Sequence, residues 1–150
     1  MESSTLVTVG VFQDIAWAEK GIEALKAQGF PAAALSLLAK DAPEVAALGD
    51  RTFGSAGATV EVKVIGTARA HGSLVGALQG SDQGLTRQGL AASAGRIGFQ
   101  AHDGRIFETL VARGGVLVAV TSEPRAADAL AVLHSYGGGN AAIGAWAGRL

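Results

Sequence analysis

Leu6-Val7-Thr8-Val9-Gly10-Val11-Phe12 decides the fold, because the residues that follow it change period. The run is rich in β-branched residues with valine at alternate positions, and it predicts a strand with one face on a core. Asp14 is placed to cap a helix, after which Ile15, Ala18, Ile22 and Leu25 recur on one face while Glu19, Lys20, Glu23 and Lys26 fall elsewhere. Gly29 predicts a left-handed end to that helix, and Pro31 forbids its continuation. Ala34-Leu35-Ser36-Leu37-Leu38-Ala39 reads as a second strand, ended by Lys40-Asp41-Ala42-Pro43, so residues 5–41 form a first β-α-β half.

The same order returns in residues 115–146. Val116-Leu117-Val118-Ala119-Val120 is a strand, Ser122 or Glu123 a cap, Pro124 a first-turn proline, and Ala127, Leu130 and Leu133 a helical face closed by Gly137. Asn140 to Trp146 is the last strand, weakened by Gly144. Two such halves in one chain predict a single α+β domain with a ferredoxin-like split βαβ sheet, and right-handed crossovers put both helices on one face. Between the halves, Glu44 to Phe53 has room for a helical turn, and residues 58–65 alternate valine with polar residues as an edge strand does.

Composition narrows the classes of function. The chain has 150 residues, one domain's worth, with 49% hydrophobic but only 5% aromatic residues, so its interior is built from Ala, Val, Leu and Gly. A formal net charge of -1 with scattered Lys and Arg gives no basic stripe for phosphates, so nucleic acid is not an expected partner. The absence of Cys removes disulfides, thiolate nucleophiles and thiolate metal sites, and fits a reducing cytoplasm. Met1-Glu-Ser-Ser-Thr lacks the basic and apolar regions of a signal peptide. The weakly polar stretch Ile65 to Phe99 is broken by Arg69, His71, Asp82, Arg87 and Arg96, so no membrane span is expected.

Residues 66–113 form a glycine-rich segment, expected to be helical and inserted between the halves. Gly72, Gly76, Gly80 and Gly84 fall four apart, which on a helix makes a groove where a second backbone comes close. Each interior Gly costs about 1 kcal/mol of helix propensity, so such a helix needs a partner. Two helices are expected, over Thr67 to Gln79 and Leu85 to Ile97, packed on each other or on a second copy. These four glycines, with Trp17 and Trp146 as scarce large aromatics, are the candidate packing or interface residues.

Val9-Gly10-Val11-Phe12, the helix with Ala18-Glu19 and Ile22-Glu23-Ala24-Leu25, Gly29-Phe30-Pro31 and Leu35-Ser36-Leu37-Leu38 resemble the heat-induced general stress protein domain of bacteria. Gly98-Phe99, Ile106-Phe107-Glu108 and Val111-Ala112-Arg113-Gly114-Gly115-Val116 are similar to that family's helix ending in Arg-Gly-Gly before an apolar strand. The resemblance covers nearly the whole chain and implies a stress-linked protein whose halves flank a glycine-zipper segment, with no catalytic residues to carry over. This middle is more polar than membrane-like versions.

No chemical constellation is expected. His71, His102 and His134 lack the spacing that sets two imidazoles on one metal, and His102-Asp103 with Glu108 reads as a surface turn before a helix from Gly104 to Ala112. Ser73, Ser81 and Ser93 sit among glycines without a nucleophile elbow. Neither nucleotide-binding fingerprint follows a strand, and Gly137-Gly138-Gly139-Asn140 links helix to strand. Asp41 with Glu44, and Glu19 with Glu23, fit solvated surfaces. The expected function is a non-enzymatic stress module without cofactor or metal that self-associates through a sheet face or edge and its small-residue helices, or binds a protein partner. A small-ligand or metal-sensing regulatory domain, with its pocket between the sheet and the glycine-rich helices, and peripheral membrane association through the middle segment are the alternatives.

Overall fold

The structure, a computed structural model, describes residues 5–54, 57–80, 83–96, 99, 101–121, 131–132 and 142–146. Strand β1 (Thr5–Phe12) leads into helix α1 (Ile15–Ala27), whose start is capped by Asp14 Oδ1 accepting from the Trp17 amide at 2.9 Å. Gly29 takes φ 96° where the chain leaves the helix, and a short 3-10 turn (Ala32–Ala34) delivers β2 (Leu35–Lys40). Helix α2 (Pro43–Phe53) follows. It is longer than the single turn expected there, with Pro43 in the first turn and Val45, Leu48 and Thr52 on its buried face.

The chain then forms the hairpin β3 (Ala58–Val62) and β4 (Gly66–His71), the short helices α3 (Ser73–Gln79), α4 (Gly84–Arg87) and α5 (Leu90–Arg96), and α6 (Ala101–Ala112). Strands β5 (Val116–Thr121) and β6 (Ala142–Trp146) complete a six-stranded antiparallel sheet of order β3-β4-β2-β5-β1-β6. The registers Val9↔Ala119, Leu37↔Val118 and Thr8↔Ile143 fix its centre. The second half's expected helix and its cap, from Ser122 to Leu133, lie outside the described residues except for 131–132, as do Gly137 to Asn140.

Two expectations for the middle are corrected. Residues 67–71 are strand, not helix. An unpaired edge of β2, buried on both sides, would leave its amides and carbonyls without partners, and β4 supplies them through Leu37↔His71 to Lys40↔Ala68. The helix expected over Leu85 to Ile97 is divided, because Gly89 takes φ 101° between α4 and α5.

The larger correction concerns the layers. Helices were expected on one face, yet both faces of the sheet are covered. Leu35, Leu37 and Ala39 of β2, with Phe12, Val116, Val118 and Val120, pack under Ala18, Ile22 and Leu25 of α1 and Val45 and Leu48 of α2. The alternate residues Leu38, Val9, Val11, Leu117 and Ala119 pack under Leu78, Leu85, Leu90, Phe107 and Val111 of the middle helices. Burying each such Val, Leu, Ile or Phe side chain contributes about 1.5–3 kcal/mol, so the glycine-rich segment closes a second core of the molecule itself.

Candidate functional site

The four-apart glycines do not share a helix face. Gly72 precedes α3 with φ 94° and Gly80 follows it with φ 61°, backbone that interrupts a helix, while Gly76 lies inside α3 and Gly84 opens α4. A Cβ at Gly72 would overlap Ser36 and the Leu35 carbonyl, and one at Gly80 would lie 2.8 Å from Arg96 Nη1. At Gly76 it would meet nothing within 4 Å. The close backbone approach that small residues permit occurs instead between α5 and α6, where a Cβ on Gly104 would lie 2.8 Å from the Ala91 carbonyl oxygen.

Helices of four to seven residues do not stand alone in water. Side chains from neighbouring segments complete these. Gln79 Oε1 accepts from the Leu85 and Thr86 amides at the start of α4, at 2.8 and 3.2 Å. Glu108 Oε1 of α6 accepts from the Ala91 amide at 2.9 Å, at the start of α5. Arg96 Nη2 donates to the Leu78 carbonyl at 2.7 Å, placing a cation at the end of α3. The glycine-rich segment thus makes many internal contacts, and its described residues pack a second apolar core against the sheet.

A concave site among the described residues lies at one end of the sheet. The carboxyl ends of β1 and β2, the start of β5 and the first turns of α1 and α2 enclose a cleft of about 420 Å³. Ile15, Ala39, Ala42, Val45 and Val116 give it apolar walls, and Asp14, Lys40 and Glu44 supply its charges. It exists because β2 ends at Lys40, the exposed residue of that strand, and Pro43 starts α2 at once, holding the two helix starts apart across the strand ends. Asp14 is engaged in capping α1, and Asp41, just beyond the cleft, is paired with Arg69 at 2.7 Å. Farther along the same helices Arg51 grips Glu19 with two bonds of 2.9 Å and Lys26 Nζ reaches the Thr52 carbonyl at 3.2 Å, so the walls are tied together.

His71 stands apart from any metal-like cluster. It is buried, stacked on Phe53 with ring centroids 4.5 Å apart, and fits against Gly49 and Gly57, where a Cβ would overlap the imidazole. Among the described residues no three His, Asp or Glu side chains gather as metal ligands, and no helix is long and apolar enough to cross a membrane. Ser93 is fully buried at a site facing Gly84, and its hydroxyl makes no hydrogen bond among the described residues. Ser81 lies outside the described residues, as do the side chains of Ser73 and His102.

Two large hydrophobic residues are exposed among the described ones. Trp17, a predicted interface residue, is 40% exposed on α1, with Lys20 Nζ 4.8 Å above its ring. Trp146 is the last residue of β6, with its Cα opposite Thr5, and its side chain lies outside the described set. Val64, which sequence reasoning missed, is 72% exposed at the tip of the β3–β4 hairpin with φ 77°. A β-branched residue in that region is strained by about 1–3 kcal/mol, and only the turn between Val62 and Gly66 hinted at it. Compared with protein-family models, with curated proteins and with solved structures, the chain matches none.

Proposed function

We propose that the chain is a non-enzymatic binding module, of the kind the bacterial general stress domain represents, which works by association at its end cleft. The frame supports a ferredoxin-like reading: β1 and β2, the strands of the first half, are separated by β5, and β5 and β6 by β1, which is the interleaving a split βαβ requires. On that reading α2, β3, β4 and α3 to α6 are the insertion.

The carrying observation is where apolar surface remains. Both faces of the central strands β1, β2 and β5 are filled by the chain's own helices, so association through an open central face loses its motive, whereas the cleft leaves Ile15, Ala42 and Val45 around an unfilled concavity. Its polar groups support binding rather than catalysis, since Asp14 is occupied as a helix cap and no His, Ser, Thr or Tyr lines the wall among the described residues. A volume of about 420 Å³ also suits a small organic ligand, which favours a regulatory domain as the second reading.

Amide NMR spectra recorded against protein concentration, and against a library of small apolar fragments, test the proposal. Shifts are expected at residues 13–16, 39–42, 44–45 and 114–116. Spectra in which these amides stay still in both titrations overturn it.

A further inference from the structure

We infer that the occupant of the end cleft is the β3–β4 hairpin tip of a second copy of this chain, an inference that rests on the cleft being the binding site. The two surfaces complement each other. The tip presents Val64, 72% exposed and held at φ 77°, beside the exposed Lys63. The cleft presents apolar walls at Ile15, Ala42 and Val45 and carries two acids, Asp14 and Glu44, against one lysine, Lys40. An apolar knob with a flanking cation meets an apolar socket with a net negative rim.

The hairpin is held firmly enough to serve as a knob. The Lys63 amide donates to the Leu85 carbonyl at 3.0 Å, and Val62 and Ile65 on either side of the tip are buried, so Val64 projects from an anchored turn. Val64 is left largely bare by the described residues, yet a β-branched residue occupies a left-handed position that Asn or Gly adopts more readily. Burial of its side chain by a partner would offset that strain.

Topology then fixes the symmetry. Lys40 pairs with Ala68 and the Asp41 amide donates to the Thr67 carbonyl at 3.0 Å, so the start of β4, and with it the tip, lies at the end of the sheet where β2 stops. Phe12 pairs with Val116 at that same end, which is where the cleft opens. Knob and socket on one end of one molecule allow two copies to meet end to end about a two-fold axis, each tip entering the other's cleft, which closes as a dimer. Contacts confined to two tips fall below the roughly 1,200 Å² of stable interfaces, so the dimer is weak and its affinity falls with salt.

Sedimentation equilibrium of the full chain, from about 10 µM to about 1 mM, reads it out on the scale of weak dimers. The weight-average mass is expected to rise towards twice the chain mass in wild type. Two variants spare the fold: Val64→Asn removes the apolar tip but suits the turn, and Ala16→Arg fills the socket from an exposed position with a charge that repels Lys63. Each alone is expected to weaken dimerisation at least tenfold. Their mixture retains one knob in one socket and is expected to form more dimer than either variant alone. A wild-type chain that stays monomeric to the top concentration overturns the inference, as does Val64→Asn associating like wild type. Fragment-induced shifts at the cleft in a monomeric wild type overturn the dimer while leaving the cleft as the binding site; a still cleft in a monomer overturns both.

Discussion

Gly104→Ala sets two known effects against each other inside α6. Helix propensity favours alanine over glycine in a helix interior by about 1 kcal/mol, so composition alone predicts a more stable protein. The structure predicts the opposite. A Cβ at position 104 would stand 2.8 Å from the Ala91 carbonyl oxygen, 3.3 Å from its Cα and 3.4 Å from its carbonyl carbon, all backbone atoms at the start of α5. They cannot rotate away as a side chain would, and the Glu108 carboxylate holds the Ala91 amide at 2.9 Å from the same helix, so α5 cannot retreat without stretching that bond. Overpacking of this kind costs about 1–3 kcal/mol, which offsets or exceeds the propensity gain and leaves a net loss of up to about 2 kcal/mol.

For a chain of this size that corresponds to a fall in Tm of up to roughly 8 °C. Urea unfolding followed by circular dichroism, with unchanged m, measures the loss. Gly76→Ala is the control, because its Cβ meets nothing within 4 Å, and it is expected to gain stability. Glu108→Ala lets α5 shift, so the Gly104→Ala penalty shrinks in its background. A Gly104→Ala protein stabilised to the same degree as Gly76→Ala refutes the close α5–α6 approach.

Val64→Asn is expected to stabilise the monomer by about 1 kcal/mol by relieving the positive φ, and a lower urea midpoint contradicts the strain assigned to the tip. Ser93→Ala removes a fully buried hydroxyl with no hydrogen bond among the described residues, so stability is expected to hold or rise by about 1 kcal/mol; a loss beyond about 1 kcal/mol means that the hydroxyl has a partner. The Arg51–Glu19 pair, 51% and 32% exposed, is expected to couple by no more than about 1 kcal/mol in a double-mutant cycle, and less in high salt. A coupling of several kcal/mol that ignores salt excludes a solvated pair.

The local pattern from Val7 to Ala39 was legible because its signals act over a few residues. Asp14 caps α1, Gly29 leaves it with positive φ, and Ile22 and Leu25 face the sheet, each following from side chains within one turn of each other. The unbroken apolar run Val116-Leu117-Val118-Ala119-Val120 also held a signal that was read only in part. A strand without alternation is buried on both sides, so it implied a second covering layer.

What only the tertiary structure decided depends on contacts distant in sequence. The four-apart spacing of Gly72 to Gly84 was read as a helix face, yet Gly72 and Gly80 take positive-φ backbone because β2 needs β4 as its partner and α3 must stop where Arg96 meets Leu78. The end cleft is invisible in the chain because Asp14, Lys40, Val45 and Val116 share no spacing; strand ends and helix starts bring them together. Periodicity records which side of an element is buried. It carries no record of which element does the burying, because hydrophobic burial is non-directional and any apolar layer of suitable shape satisfies it.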